Sequence, residues 1–263
     1  MIVKSCWASF YVGMNNWTLH FRLFGIPVSI HPSVFIVLLV LGGGLTAQGA
    51  ADLSMMLLFV VAGLLCLLCH ELGHALVAKL GYGARPVIEI AWLGGVTQTD
   101  VAPPSRGLAI LMSLAGPLAT LVPGLVCLVI LGAQLGSLGT ALAVVGVGAL
   151  PMDWGSALFG SLVTPEGMMR LETMQTSVLM FYVLTNMVGL FWCVLNLVPA
   201  VPLDGGHVCA LLTRSPLTAA RIGVVSAGVV AVLLGWYTQS VWNLLLFGWL
   251  AYYNYRVMQS LSR

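Results

Sequence analysis

The stretch LSMMLLFVVAGLLCLLCHELGHALVAKL, residues 53–80, is an apolar run of bilayer-spanning length that carries His70, Glu71 and His74 before it closes at Lys79. Roughly 20 apolar residues suffice to span a membrane as a helix. On such a helix His70 and His74, at i and i+4, share one face and can grip a single metal ion, with Glu71 in reach of a water at that metal. A charged group at mid-span costs about 2.5–3.5 kcal/mol on insertion scales, which makes all three functional candidates. His70 lies nine residues before Lys79, about 13–14 Å in from that end at helical rise. The pattern H-E-x-x-H there predicts a zinc site with Glu71 as general base.

Composition sets the class around this segment. Of 263 residues, 60% are hydrophobic and 7% charged, against about 25% charged in soluble domains, and mean hydropathy is +1.03. The chain is therefore expected to be an all-α polytopic membrane protein. A net charge of +2 gives no footprint for a nucleic-acid partner. Six cysteines (Cys6, Cys66, Cys69, Cys127, Cys193 and Cys209) lie mostly in apolar stretches without secreted-domain spacing, and read as reduced core residues. In Cys66-x-x-Cys69, Cys66 falls a full turn before His70 and about 12 Å from His74, so packing is its expected role.

Further spans are expected at Ser33–Gln48, Leu108–Leu131, Val178–Val198, Ala219–Tyr237 and Val241–Met258, making about six with residues 53–80. Leu138–Leu150 is short and glycine-bearing, which predicts a re-entrant or interfacial segment. With six spans, Lys4, Arg22, Lys79, Arg85, Arg106, Arg214, Arg221, Arg256 and Arg263 share one side and only Arg170 lies opposite. The positive-inside rule then puts both termini in the cytoplasm. Trp236, Tyr237 and Trp242 would flank the outer turn, and Tyr252, Tyr253 and Tyr255 the inner face. Residues 1–13 resemble neither signal peptide nor span, and Met14 is a candidate start.

Two polar-side segments promise β-structure. TLHFRLFGIPVSI, residues 18–30, alternates as one short strand broken at Gly25 and Pro27. PVIEIAWLGGVTQTD, residues 86–100, reads as a hairpin about Gly94-Gly95, within bounds of about 85–101. A strand edge cannot face lipid, so it must be covered, lie at the interface, or pair with something. The expected organisation is a cytoplasmic segment with a short strand, residues 1–32, and a six-span domain, residues 33–263.

A catalytic zinc takes three protein ligands and an open position. Same-side candidates for the third are His207, His20, His31, Asp100, Glu89 and Asp204. Asp204 stands out: it follows prolines that end a predicted helix and precedes a Gly-Gly pair expected to let the backbone turn sharply. Irregular backbone at membrane depth is tolerated where it lines a protein cavity.

HELGH at residues 70–74 and NLVPAVPLDGG at residues 196–206, about 120 residues apart, together resemble the signatures of the site-2 protease family of intramembrane zinc metalloproteases. The resemblance extends to GIPVSIHP, residues 25–32, to the hairpin after HELGH and to Ala115-Gly116-Pro117, and covers the chain from about Asn16. It implies one zinc ion per chain held by His70, His74 and Asp204, Glu71 as catalytic base, and Asn196 on the substrate or developing oxyanion. It also implies a transmembrane protein substrate within the lipid bilayer. The hairpin edge at Gly94, Gly95 and Val96 is expected to pair with a locally extended substrate segment. His207 and His31 are expected to stand outside the metal site.

The spacing of the spans leaves no room for a PDZ-like insertion, and the protein is expected to lack a CBS module after Arg263. It thus resembles the compact six-span branch that includes bacterial sporulation processing enzymes, with regulation left to other membrane proteins. A non-catalytic client-binding pseudoprotease is the alternative, and the intact His70, Glu71, His74 and Asp204 weigh against it. Zinc transport would need ligands on both sides, and the outer loops offer Asp52, Asp153, Glu166 and Glu172 without histidine. Purified protein is expected to cleave a model substrate without nucleotide; strict ATP dependence in that assay would contradict the compact-branch reading.

Overall fold

A computed structural model of the chain describes residues 17–45, 47–92, 94–149, 159–238 and 241–262. The readings at Lys4, Cys6, Met14, Asp153 and Arg263 lie outside these residues.

β1 (Leu19–Leu23) and β2 (Ile26–Ile30) form a hairpin closed by Phe24 and Gly25, whose φ values are 50° and 75°. The single broken strand expected over residues 18–30 is thus two strands, because consecutive positive φ angles reverse the chain in register with strand twist. Pro27 is accommodated since β2 pairs with its second neighbour only from Val28 to Ile30. That neighbour is β3 (Val87–Ala91), parallel to β2, and β3 pairs antiparallel with β4 (Gly94–Gln98). The sheet order is β1-β2-β3-β4, leaving β4 at an edge. Ile26, Val28, Ile30, Ile88 and Ile90 are buried on one face, each stabilising the sheet by about 1.5–3 kcal/mol.

Between β2 and β3 runs a two-helix crossover. α1 (Ser33–Leu39) continues as a wider turn over Val40–Gly44, where Gly43 takes φ 94°. Its 12 residues rise about 18 Å, short of the roughly 30 Å hydrocarbon core, so the span expected at Ser33–Gln48 ends early. α2 (Ala50–Tyr82) carries residues 53–80 and ends at Gly83, whose φ is 68°. Sheet, α1 and α2 share one core, with Val34, Leu38, Val60 and Leu67 buried against the isoleucines.

α2 packs against α3 (Arg106–Leu135) and α6 (Thr176–Leu197), which also pack on each other. Between these two lie α4 (Leu138–Ala149) and α5 (Pro165–Thr173). Thr164 N–H donates to Thr140 Oγ1 at 3.1 Å, and Arg170 Nη1 to the Gln134 carbonyl at 3.2 Å. The excursion from α3 therefore leaves and rejoins the same end of the bundle. α6 starts where α3 stops and runs back, so the chain after Leu197 emerges beside the start of α3. There follow α7 (Asp204–Thr213), α8 (Pro216–Thr238) and α9 (Val241–Leu261), the last two packed side by side.

Among the described residues four helices, α2, α3, α6 and α8, are both long and apolar enough to cross a membrane. α1 is short, and α9 has the length but interleaves Asn243, Asn254, Arg256 and three tyrosines. The architecture is an all-α membrane bundle of four to six spans with a small sheet.

Close contact of α2 with α3 depends on Gly73, where an added Cβ would run into the Ala115 carbonyl. Gly73→Ala is expected to lower stability by about 1–3 kcal/mol, read as a reduced thermal midpoint in detergent. Gly228→Ala, where a Cβ meets nothing within 4 Å, should leave the midpoint unchanged.

Candidate metal centre

α2 places His70 and His74 one turn apart on the face covered by α3. Gly116 makes that cover fit, because a Cβ on it would occupy the space of the His74 ring. Each ring is then fixed by its outer nitrogen. His74 Nδ1 lies 2.6 Å from the Met112 carbonyl, and a carbonyl only accepts, so this nitrogen carries the proton. His70 Nδ1 lies 3.1 Å from Thr120 Oγ1, whose own hydroxyl donates to the Gly116 carbonyl at 3.0 Å. Thr120 is therefore the acceptor for His70. Both Nε2 atoms are left as lone pairs pointing inward.

Asp204, in the first turn of α7, completes the group. Its Oδ2 lies 3.1 Å from His70 Nε2 and its Oδ1 3.4 Å from His74 Nε2, while the two Nε2 atoms are 3.1 Å apart. With both imidazoles protonated at Nδ1, no hydrogen fills the space between them, and Asp204 Oδ2 is buried without a hydrogen-bond partner. Three acceptors facing one another repel unless a cation sits among them. Ligands on a tetrahedral zinc at about 2.0–2.2 Å stand roughly 3.3–3.5 Å apart, close to the observed spacings. The donor set fits zinc, and it is the one such group of three or more His, Cys, Asp or Glu among the described residues.

Glu71 is 3% exposed and turned toward the sheet. Thr97 Oγ1 lies 2.7 Å from Glu71 Oε2 and 3.0 Å from the Glu71 carbonyl. Gly95 lies against the same side chain, and a Cβ there would strike the Glu71 carboxylate. The hairpin's turn therefore includes Trp92, which takes φ 49°, and does not lie at Gly94-Gly95, since both glycines belong to β4. The glycine at 95 answers a lack of room, whereas Gly94 has open space about it. Val96 is exposed on this outer strand.

Asp204 is mounted on residues 198–203, which contain a cis Val201–Pro202 bond. Gly205 and Gly206 make no sharp turn, since both are helical within α7. Side chains there would collide with the backbone at Leu197 and Ala200. Asn196 donates its amide to the Trp192 carbonyl of its own helix at 2.9 Å, and the structure does not bring it into the ligand group. The other third-ligand candidates are held elsewhere: His20 by Ser29, His31 by Ser33, Asp100 by the Arg85 N–H and Glu89 by Gln98. His207 is exposed and outside the group. Thr120, Thr97 and the Met112 carbonyl were not singled out by the sequence. Thr120 alone left a trace, as a polar residue inside the run Leu108–Leu131.

The arrangement is that of a metalloprotein whose centre is assembled inside a helical bundle. The sequence profile of peptidase family M50 matches residues 58–235. Over 233 residues the chain is 30% identical to a zinc metalloprotease of Methanocaldococcus jannaschii, covering 84% of this chain and 55% of that protein. It is 27% identical over 243 residues to a protein of Synechocystis named as a candidate zinc metalloprotease, covering 88% of this chain and 53% of that one. The chain thus spans about half the length of the curated relatives it matches. The site-2 protease from Methanocaldococcus jannaschii has the same fold, with a TM-score of 0.51 at 22% identity over 94% of this chain and 96% of that structure. The chain belongs to peptidase family M50.

Thr120→Val keeps the shape of the site but removes the acceptor for His70 Nδ1–H. It is expected to weaken zinc binding about tenfold or more in a chelator competition, while Thr120→Ser stays near wild type.

Proposed function

We propose that the chain is an intramembrane zinc endopeptidase that hydrolyses peptide bonds in or near transmembrane segments of membrane-protein substrates. The observation carrying this reading is that Glu71 follows the ligand His70 directly on α2 and has its carboxylate held by Thr97 of the edge strand β4. His70, His74 and Asp204 would hold one zinc ion, which would supply Lewis-acid activation of water and of the substrate carbonyl. Glu71 takes the proton from the attacking water as the C–O bond forms and returns it to the amide nitrogen as the C–N bond breaks. The products are a carboxylic acid and an amine, which ionise to carboxylate and ammonium. Thr97 keeps one Glu71 oxygen turned to the sheet and leaves the other to work.

A transmembrane substrate hides its carbonyls in its own helix and must be locally extended before attack. The outer edge of β4 pairs with no strand among the described residues, and it runs past Glu71 at Gly95 and Thr97. Gly94, Gly95 and Val96 therefore present a backbone edge on which an extended segment adds as a strand. Asn196, at the end of α6, is kept as a contact for the substrate or the developing oxyanion.

The same reading sets the protein as multi-pass in a cell membrane of bacterial type, with both termini cytoplasmic, and leaves its control to other membrane proteins. The basic residues on one side support that orientation. The site then sits in the inner half of the bilayer.

Detergent-purified protein with a single-span model substrate should give zinc-dependent cleavage that chelator abolishes. Glu71→Gln should reduce it by at least about 10²-fold with zinc content retained; stoichiometric zinc without cleavage of any substrate would favour client binding. Proline at Gly94 or Val96 should cut turnover at least tenfold and leave zinc content unchanged, and normal turnover there would remove the edge strand from the mechanism.

A further inference from the structure

α9 lies beyond the family match, which ends at residue 235, yet one of its side chains reaches the loop that carries the third ligand. Asn254 is fully buried in the middle of an apolar helix pair. Its Oδ1 accepts the Val201 N–H at 3.1 Å, and its Nδ2 donates to the Val201 carbonyl at 2.8 Å and to the Leu250 carbonyl at 2.9 Å. The bond to Leu250 is internal to α9. The other two read both backbone groups of one loop residue, three positions before Asp204.

We propose that Asn254 is a positioning residue for the metal centre: it clamps the loop of residues 198–203 and thereby sets where Asp204 enters the donor set. This rests on the zinc-site reading given above. A buried asparagine between packed helices often serves as interhelical glue, donating across to the neighbouring helix. Here both of the long-range bonds of Asn254 go to the loop. α8 supports the clamp instead, with Ser226 Oγ 3.3 Å from the Pro199 carbonyl and Gly223 closing on the Asn254 amide and on Ala200. Ala200 is buried among Ala227, Ala231, Phe247 and Leu250.

The path from clamp to ligand is short and stiff. Leu203 N–H donates to the Ala200 carbonyl at 2.9 Å, and Gly206 N–H to the Leu203 carbonyl at 3.0 Å. Val201 is thus tied through one tight turn to the first turn of α7. The N–H and carbonyl of Val201 belong to irregular backbone at membrane depth, where no water replaces a lost partner. Without Asn254 the loop must rearrange to satisfy them, and Asp204 moves with it.

Zinc affinity of the full chain in detergent, measured by chelator competition, tests this together with the d–d absorption of the Co²⁺-loaded protein. Wild type, Asn254→Leu, Asp204→Ala and the double variant are compared. Asn254→Leu is expected to bind zinc at least tenfold more weakly and to alter the Co²⁺ spectrum, and the double variant to bind no more weakly than Asp204→Ala alone. A generic packing defect would lower the thermal midpoint yet leave affinity and spectrum of the folded fraction as in wild type, and that result overturns the proposal. So does a double variant that loses the full Asn254→Leu factor on top of Asp204→Ala. Should Asn254→Leu not fold, Asn254→Asp keeps the acceptor for Val201 N–H, and a smaller loss of affinity is expected; wild-type affinity there overturns the proposal equally. Unchanged affinity in Asp204→Ala would instead sink the ligand assignment itself.

Discussion

Two imidazole lone pairs and a carboxylate are forced together at about 3 Å in the interior of an apolar bundle, and most of the surrounding structure answers that repulsion. Left alone, such a group would spread apart or take up protons. It is prevented from spreading by contacts that act on each donor from behind: the Met112 carbonyl on His74, Thr120 on His70, and the turn of residues 198–203 on Asp204. The cradle is held in the geometry a cation needs.

Each support comes from a different part of the chain, which explains the tight packing. α3 must touch α2 closely enough for a main-chain carbonyl and a threonine to reach the rings, hence the small residues at Gly73, Ala115 and Gly116. α6 must return Asp204 to the end of the bundle where α3 begins, and it does so because α4 and α5 come back to the place they left. The sheet supplies β4 to hold Glu71 through Thr97. Strands from both sides of the α1–α2 crossover build that sheet, so the residues before the first helix and those after the second are one unit.

Some expectations failed for physical reasons. Gly94-Gly95 looked like a turn because paired glycines commonly supply positive φ, but here the left-handed residue is Trp92 and glycine at 95 makes room for a carboxylate. Gly205-Gly206 misled in the same way, being helical positions pressed against another stretch of backbone. Composition cannot separate glycine used for its dihedral freedom from glycine used for its lack of a side chain. The strand over residues 18–30 was split by a turn that Phe24 shares with Gly25.

By itself the sequence determined the apolar spans, the helical spacing of His70, Glu71 and His74, and the presence of a distant motif ending in Asp204. These are local matters of periodicity, length and residue type. Only the tertiary structure decided which of six same-side candidates faces the two histidines, which nitrogen of each ring is free, and that Thr120, Thr97 and Asn254 stand behind the site. Those depend on contacts between residues from 26 positions apart, as for Glu71 and Thr97, to 134 apart, as for His70 and Asp204 (204 − 70), set by how helices meet. A hydrogen bond of that kind leaves no period in the chain.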